Sequence, residues 1–186
     1  DVEIFTNSSS TGSGGIGIFI NSSDFTAVNR NWINTIKSKS YALKIINARN
    51  TTISNSMFNV TQPDQDGIQI IDSEGTVLNN ITVDTRSAEA LVSARVLLKN
   101  SIKTTINATT LIYPPFPLNI THDNNGSIVW LQTLTINNYT NLADIIQIGA
   151  NKTMVNSSDQ RGQLFNKSAR IILNTTNETN TKPHIL

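Results

Sequence analysis

"GIQIIDSEGTVLNNITV", residues 67–83, decides the fold, because apolar and polar side chains alternate on both sides of a short polar turn. Alternation with a period of two is typical of strands that bury one face, and Asp, Ser and Gly are typical of corners. The stretch therefore predicts two short strands joined by a corner, with Ile70, Leu78 and Val83 facing a core.

The same alternation recurs along the chain at intervals of 22 to 28 residues. Seven apolar stretches end at Ile20, Ile45, Ile70, Leu98, Ile120, Ile148 and Leu173. Eight positions after the first five of these anchors lie Val28, Ile53, Leu78, Ile106 and Ile128. Short strands repeated at this period indicate a solenoid, in which stacked rungs complete a core that no rung can build alone. The repeat predicts six or seven rungs.

Three stretches carry a resemblance to a known architecture: "NTTISNSMFNV" (50–60), "DGIQIIDSEGTVLNNITV" (66–83) and "IIQIGANKTMV" (145–155). Here the chain resembles the right-handed parallel β-helix of the pectin-lyase-like superfamily, over roughly residues 16–173. The resemblance implies an all-β fold and specifies architecture more than function. A β-sandwich or jelly roll is the alternative, because strands of eight to ten residues with turn signals also build those folds.

The composition excludes several classes of protein. Charged residues make up 15% of the chain, whereas Asn, Thr and Ser together supply 66 of 186 residues. A net charge of +1 gives no electrostatic attraction for nucleic acid. No cysteine is present for a disulfide or a thiolate site. Because no apolar run is long enough to span a bilayer, we expect no membrane insertion of the mature chain.

Acceptor triplets for N-linked glycans are unusually frequent. The triplet N-x-[ST] needs an accessible Asn and a secretory context. Fourteen occur, at Asn7, Asn21, Asn50, Asn59, Asn80, Asn107, Asn119, Asn125, Asn138, Asn151, Asn156, Asn166, Asn174 and Asn177. Their number predicts heavy glycosylation and an extracellular or cell-surface location. The N-terminus contains no signal sequence, so we expect that a signal peptide has been removed.

The two ends differ from the repeats between them. Residues 1–6, "DVEIFT", alternate like a strand, and residues 7–15, "NSSSTGSGG", have the composition of a flexible linker. Because a lone strand must pair with a sheet edge, residues 1–6 predict a donor strand, with Val2, Ile4 and Phe5 at a subunit interface. The alternative is that these residues fold back and cap the first rung of their own domain. Residues 16–173 form the predicted core domain, and residues 174–186 form a polar tail.

The segment "PDQDGIQI" (63–70) resembles the D-G segment of polygalacturonases at Asp66 and Gly67. That resemblance implies acid–base chemistry on a polysaccharide. The neighbouring repeat contains neither the expected acid pair nor a His-Gly element. We therefore expect Asp64, Asp66, Asp72 and Glu74 to cap corners, and we expect no catalytic residue, no metal site and no cofactor. A calcium site there would lack a defined set of six to eight oxygen ligands.

A tethered strand, dense acceptor triplets, no cysteine and no long apolar N-terminal helix together resemble the thread-type pili of thermoacidophilic archaea. The resemblance implies a glycoprotein subunit of a surface filament for adhesion or biofilm, polymerised head to tail with copies of itself by donor strand complementation. One alternative is a carbohydrate-binding or adhesive β-helix of a surface or spike protein. A polysaccharide lyase or hydrolase is the third possibility. Polymerisation distinguishes the first from the other two.

Overall fold

The computed structural model describes residues 2–6, 16–35, 41–60, 66–85, 94–113, 116–149, 152–156, 158 and 160–173, with the backbone alone for residues 2–6. The predicted linker 7–15 and tail 174–186 lie outside the described residues. Strands make up 66% of the described residues, which form a β-solenoid of about three turns. The prediction of an all-β solenoid is confirmed, whereas its handedness stays a prediction.

Two seven-stranded sheets form the main faces of the solenoid. Sheet A has the order β1-β4-β6-β8-β10-β15, with β3 also paired to β6. Its strands are β1 (Val2–Thr6), β3 (Ala27–Asn29), β4 (Asn31–Thr35), β6 (Thr52–Val60), β8 (Thr76–Thr85), β10 (Thr104–Asn107) and β15 (Thr140–Asn141). All of these pairings are parallel except β10 with β15.

Sheet B has the order β18-β13-β12-β9-β7-β5-β2. Its strands are β2 (Ile16–Asn21), β5 (Tyr41–Ile46), β7 (Ile68–Ile71), β9 (Ala94–Lys99), β12 (Phe116–His122), β13 (Gly126–Trp130) and β18 (Ala169–Leu173). From β2 to β12, each strand pairs in parallel with the next strand in this order, which comes from the adjacent coil. These pairings between coils, rather than between hairpin neighbours, distinguish the solenoid from the sandwich alternative.

Apolar residues of equivalent coil positions stack into columns between the sheets. In sheet B, Ile45 pairs with Ile70 and Ile70 pairs with Leu98, and all three side chains are fully buried. In sheet A, the corresponding column contains Ile53, Leu78 and Ile106, also fully buried. The predicted columns are therefore present in the first coils, where each residue packs above its equivalent at about 4.8 Å.

Left-handed backbone conformations mark the corners of each coil. Ten of the described non-glycine residues have a positive φ, and most of them occur at equivalent positions of successive coils. One corner contains Ser22, Asn47, Asp72 and Asn100; a second contains Phe25, Asn50 and Gly75; a third contains Arg30, Asn55, Asn80 and Ala108. Asn, Asp and Gly tolerate this conformation better than other residues. Five of the chain's Asn residues occupy these corners, which accounts for part of the high Asn content.

Polar side chains at the corners join each coil to the next. Asn80 Nδ2 donates to Asn55 Oδ1 at 2.8 Å, and Asn55 Nδ2 donates to Asn29 Oδ1 at 3.0 Å. At a buried position, Ser73 Oγ accepts a hydrogen bond from the Ala48 amide of the adjacent coil at 3.1 Å. Identical or similar residues therefore repeat not only in the core but also in the hydrogen-bonded ladders.

The parallel coils end near residue 122, where the chain reverses direction. The Asn125 amide donates to the His122 carbonyl at 3.1 Å, and β13 then pairs antiparallel with β12. Gly126 has a φ of 126° and lies against the backbone of Ile172, which leaves no space for a Cβ. Residues 123–125 thus form the loop of a hairpin in which Gly126 pairs with His122, rather than another solenoid corner.

The prediction of six or seven rungs is wrong for this reason. Ile128 pairs with Ile120 in sheet B and does not continue the column in sheet A. The anchors Ile148 and Leu173 also lie in antiparallel pairs. The remaining elements are β11 (Thr109–Leu111), β14 (Leu134–Ile136), β16 (Ile146–Gly149), β17 (Lys152–Val155), α1 (Leu142–Ile145) and α2 (Gln160–Gln163). No helix among the described residues is long and apolar enough to cross a membrane.

Candidate assembly edges and glycan acceptors

The N-terminal strand β1 forms one edge of sheet A within its own chain. It runs parallel to β4, and position 4 is in register with Ile33, which is fully buried. Positions 2 and 6 share this core side of the strand because strand residues alternate between faces. The predicted interface residues Val2 and Ile4 therefore occupy core-side positions, and Phe5 occupies the opposite side.

Sheet B has an open edge at the same end of the solenoid. Strand β2 pairs with β5, and no other described strand pairs with it. The first coil also exposes three aromatic side chains: Phe19 is 53% exposed, Phe25 is 80% exposed and Trp32 is 50% exposed. Phe25 combines this exposure with a φ of 58°, which a bulky residue rarely adopts. The next two coils place Asn50 and Gly75 at this corner position.

The other edge of sheet B is β18. Ile171 belongs to the register of the inward column through its pairing with Ile128, yet its side chain is 52% exposed. Ile172, on the opposite face, is 47% exposed. In contrast, Ile45 and Ile70 of the same inward column are fully buried. The described part of the core is therefore incompletely covered at this end.

Ten of the fourteen predicted glycan acceptors lie among the described residues, and none of these ten is buried. Those with exposed side chains are Asn21, Asn50, Asn80, Asn138, Asn156 and Asn166, and those half-buried are Asn59, Asn107, Asn119 and Asn125. Asn7, Asn151, Asn174 and Asn177 lie outside the described residues. The amide nitrogens of Asn107 and Asn125 donate to Asn79 Oδ1 at 2.8 Å and to the Ile148 carbonyl at 3.2 Å.

Asp66 and Gly67, the residues of the polygalacturonase-like segment, connect neighbouring coils. Asp66 Oδ1 accepts from the Ala94 amide at 2.6 Å, and its Oδ2 accepts from Gln69 Nε2 at 2.9 Å. A Cβ at Gly67 would lie 2.2 Å from Val83 Cγ1. Both residues thus have structural roles, and their partners Gln69, Ala94 and Val83 could not be identified from the segment alone.

Burial raises the pKa of the Asp66 carboxyl, against the lowering effects of its bonds to Gln69 and Ala94. The folded chain therefore holds this proton more strongly than the unfolded chain. The stability that the protonated Asp66 carboxyl contributes is fully present at pH values below the pKa of Asp66 in the unfolded chain. This contribution is lost as the pH rises through the pKa of Asp66 in the folded chain. Deprotonation of Asp66 consequently opposes folding as the solution becomes less acidic.

Alternating charges stack at the second corner. Asp24, Arg49 and Glu74 are connected by successive parallel bridges, and Lys103 Nζ lies 2.5 Å from Glu74 Oε1. The bond to Lys103 lowers the pKa of Glu74. Asp24, Arg49 and Glu74 line a shallow depression together with Ser22, Asn47 and Asp72, and exposed Phe25 follows Asp24 in the chain. No group of three or more metal-ligating side chains occurs among the described residues.

Comparison of the chain with protein-family models, with curated proteins and with solved structures found no match. The geometry of the edges, the acceptors and the corners is therefore the basis for a functional proposal.

Proposed function

We propose that this chain is a structural subunit of an N-glycosylated extracellular filament, in which β1 of one subunit is donated to the next. The place of β1 supports this role most directly. It forms the outermost strand of sheet A and is separated in sequence from the first coil by the Gly- and Ser-rich residues 7–15. An edge strand on a tether can leave its own sheet and make the same backbone bonds in a second copy.

The length of the tether is compatible with exchange. Nine residues, 7–15, reach at most about 30 Å when fully extended. Because β1 pairs with β4 at the end of the solenoid, a β1 that leaves its own sheet could pair with the β4 edge of a neighbouring copy if that edge lies within this span. The partners in the proposed filament are identical subunits joined head to tail. Nucleic acid and membrane insertion play no part in the proposal.

Glycans suit the surface of such a filament. All ten described acceptors have at least partly accessible side chains, and charged residues are only 15% of the chain. Sugars attached at these positions would keep a surface of low charge hydrated. Together with the resemblance to thread-type pili, this pattern favours a surface filament of an archaeon, with adhesion or biofilm formation as its role.

Removal of residues 1–6 tests the proposal. We expect the truncated protein to remain folded, because its coils contain most of the buried core, but to lose polymerisation. A synthetic peptide of residues 1–6 should then bind the truncated protein with one-to-one stoichiometry by filling the vacant edge of β4. Filaments of normal length from the truncated protein, seen by negative-stain microscopy, would contradict strand donation.

A substitution pair gives a finer test of the same strand. Ile4→Asp places a charge at the position in register with buried Ile33, and unpaired buried charge is strongly unfavourable. Glu3→Gln is the matched control, since position 3 lies on the opposite side of β1. We expect Ile4→Asp to prevent assembly and Glu3→Gln to preserve it. Equal assembly of the two variants would argue against the core-side role of position 4.

The second candidate is a carbohydrate-binding or adhesive β-helix, favoured by the polar depression beside Phe25. Carboxylate, guanidinium and amide groups at Asp24, Arg49 and Asn47 offer donors and acceptors for sugar hydroxyls. Phe25 offers an exposed apolar face. Calorimetric titration with oligosaccharides tests this candidate, with Phe25→Ala against Phe19→Ala as the control. We do not propose a lyase or hydrolase, because both Asp66 oxygens accept structural hydrogen bonds.

A further inference from the structure

Sheet B has an edge strand at each end of the solenoid, and donation of β1 would pair neither of them. Strand β1 covers only the sheet A side of the first coil, whereas the open edge at β2 belongs to sheet B. The opposite edge of sheet B is β18, the outermost strand beyond β13. A filament linked only through β1 would therefore leave both of these strands without a partner among the described residues.

The two edge strands run in the same direction. Strand β12 is parallel to β2 through the intervening coils, β13 is antiparallel to β12, and β18 is antiparallel to β13. Two reversals restore the original direction, so β18 is parallel to β2. A second copy that is translated along the solenoid would thus place its β2 beside β18 as one more parallel strand.

The strand registers of sheet B also give the side-chain partners of such a junction. Through successive pairs, the inward column that begins at Ile20 passes Ile120 and Ile128 and ends at Ile171. Its next member would be Ile20 of the following copy. The adjacent outward column begins at Phe19 and ends at Arg170, and would continue with Phe19 of that copy.

The exposure of these residues fits a covered junction. Ile171 and Phe19 are 52% and 53% exposed, although Ile171 belongs to a column whose central residues are fully buried. The Arg170 guanidinium lies 5.5 Å from the centre of the Phe116 ring, so it is already part of an aromatic contact that Phe19 of a neighbour would extend. Backbone pairing would satisfy the open N–H and C=O groups of both strands.

We infer that β18 of one copy pairs in parallel with β2 of the next, so that sheet B continues from subunit to subunit. This junction rests on the proposed filament but is distinct from strand donation, which joins subunits through sheet A. The occupant of each edge is a second copy of this chain, with Ile171 beside Ile20 and Arg170 beside Phe19. Each subunit boundary would then be closed on both faces of the solenoid.

Disulfide trapping tests the register, because the chain contains no native cysteine to compete. Arg170→Cys and Phe19→Cys are prepared as separate full-length proteins, mixed, assembled and oxidised. The control mixture is Ile172→Cys with Phe19→Cys, which is two residues out of register and separated by about 8 Å between Cα atoms. We expect at least about tenfold more disulfide-linked dimer from the first mixture. Equal yields, or no dimer, would overturn the inference.

A second pair of variants separates this junction from strand donation. Ile171→Asp should raise the protein concentration for half-maximal assembly by at least about tenfold, because it buries a charge at the junction. Ile112→Asp is the control, since Ile112 has nearly the same exposure, 53%, but lies in the loop after β11. Circular dichroism confirms that both variants are folded before assembly is measured.

The results distinguish the two proposals. Filaments that survive Ile171→Asp but disappear on removal of residues 1–6 would overturn the β18–β2 junction and support strand donation. Filaments that survive the truncation but are lost in Ile171→Asp would support the junction and overturn strand donation. A parent protein that stays monomeric at all concentrations would overturn both.

Discussion

Replacement of Ile70 by Ala should substantially destabilise the protein. Ile70 is fully buried in the centre of the inward column, directly between Ile45 and Leu98 in the registers of sheet B. Its neighbours are held about 4.8 Å away by backbone pairing on both sides, so they cannot move together to fill the space. Large-to-small substitutions at such sites cost about 2–5 kcal/mol. We therefore expect a loss of about 3–5 kcal/mol in the free energy of unfolding.

Thermal and urea unfolding measure this loss. For a chain of this length each kcal/mol lowers the Tm by about 2–4 °C, so the Tm should fall by about 6–20 °C. Ile112→Ala is the matched control, because Ile112 is 53% exposed and its truncation should change the free energy by less than about 0.5 kcal/mol. A loss below about 1 kcal/mol for Ile70→Ala, or an equal loss for Ile112→Ala, would refute the stacked-column account.

Three further outcomes follow from the described contacts. Gly67→Ala should cost about 1–3 kcal/mol in urea unfolding because its Cβ would meet Val83, whereas Gly149→Ala, with 3.9 Å to the nearest atom, should be nearly neutral. The Asp66→Asn variant should gain stability relative to the parent as the pH rises from about 3 to about 7, because the raised pKa of Asp66 makes deprotonation unfavourable in the folded parent. A difference in unfolding free energy between variant and parent that does not change with pH would argue against buried Asp66. Glycopeptide mass spectrometry of the native protein should find lower occupancy at half-buried Asn107 and Asn125 than at the exposed acceptors Asn21, Asn50, Asn138, Asn156 and Asn166; uniform occupancy would show that accessibility in the fold does not control glycosylation.

The repeat in the first coils could be predicted because residues that contact each other in a solenoid are separated by a nearly constant number of residues. Equivalent residues of successive coils stack, so Ile45, Ile70 and Leu98 are neighbours at a nearly constant separation along the chain. The corner residues are similarly informative, because the left-handed backbone at Asn47 and Asn55 favours a particular residue type. Alternation and spacing were therefore sufficient for the fold class and for the core of the first coils.

The end of the repeat was also encoded locally, but its signal was misread. "HDNNGS" (122–127) contains the Asn-Gly pair typical of a tight hairpin, but the anchor Ile120 and Ile128, eight positions later, fit the spacing of a solenoid corner. The apolar spacing continues past it to Ile148 and Leu173, which supported the wrong rung count. Antiparallel strands alternate with the same period of two as parallel strands, so spacing alone cannot distinguish them.

By itself, the sequence determined the all-β class, the period of the coils, the stacked core residues and the positions of the glycan acceptor triplets, because each depends on local alternation or on a short motif. Only the tertiary structure decided which strands lie at the edges. It placed β1 on β4, left β2 and β18 at opposite ends of sheet B, and gave Asp66 its partners Gln69 and Ala94. These features depend on which distant segments meet, and an edge strand has the same alternating pattern as a central one. An edge strand differs from a central strand in that its backbone lacks a partner on one side, and the alternating pattern of residues does not reveal this difference.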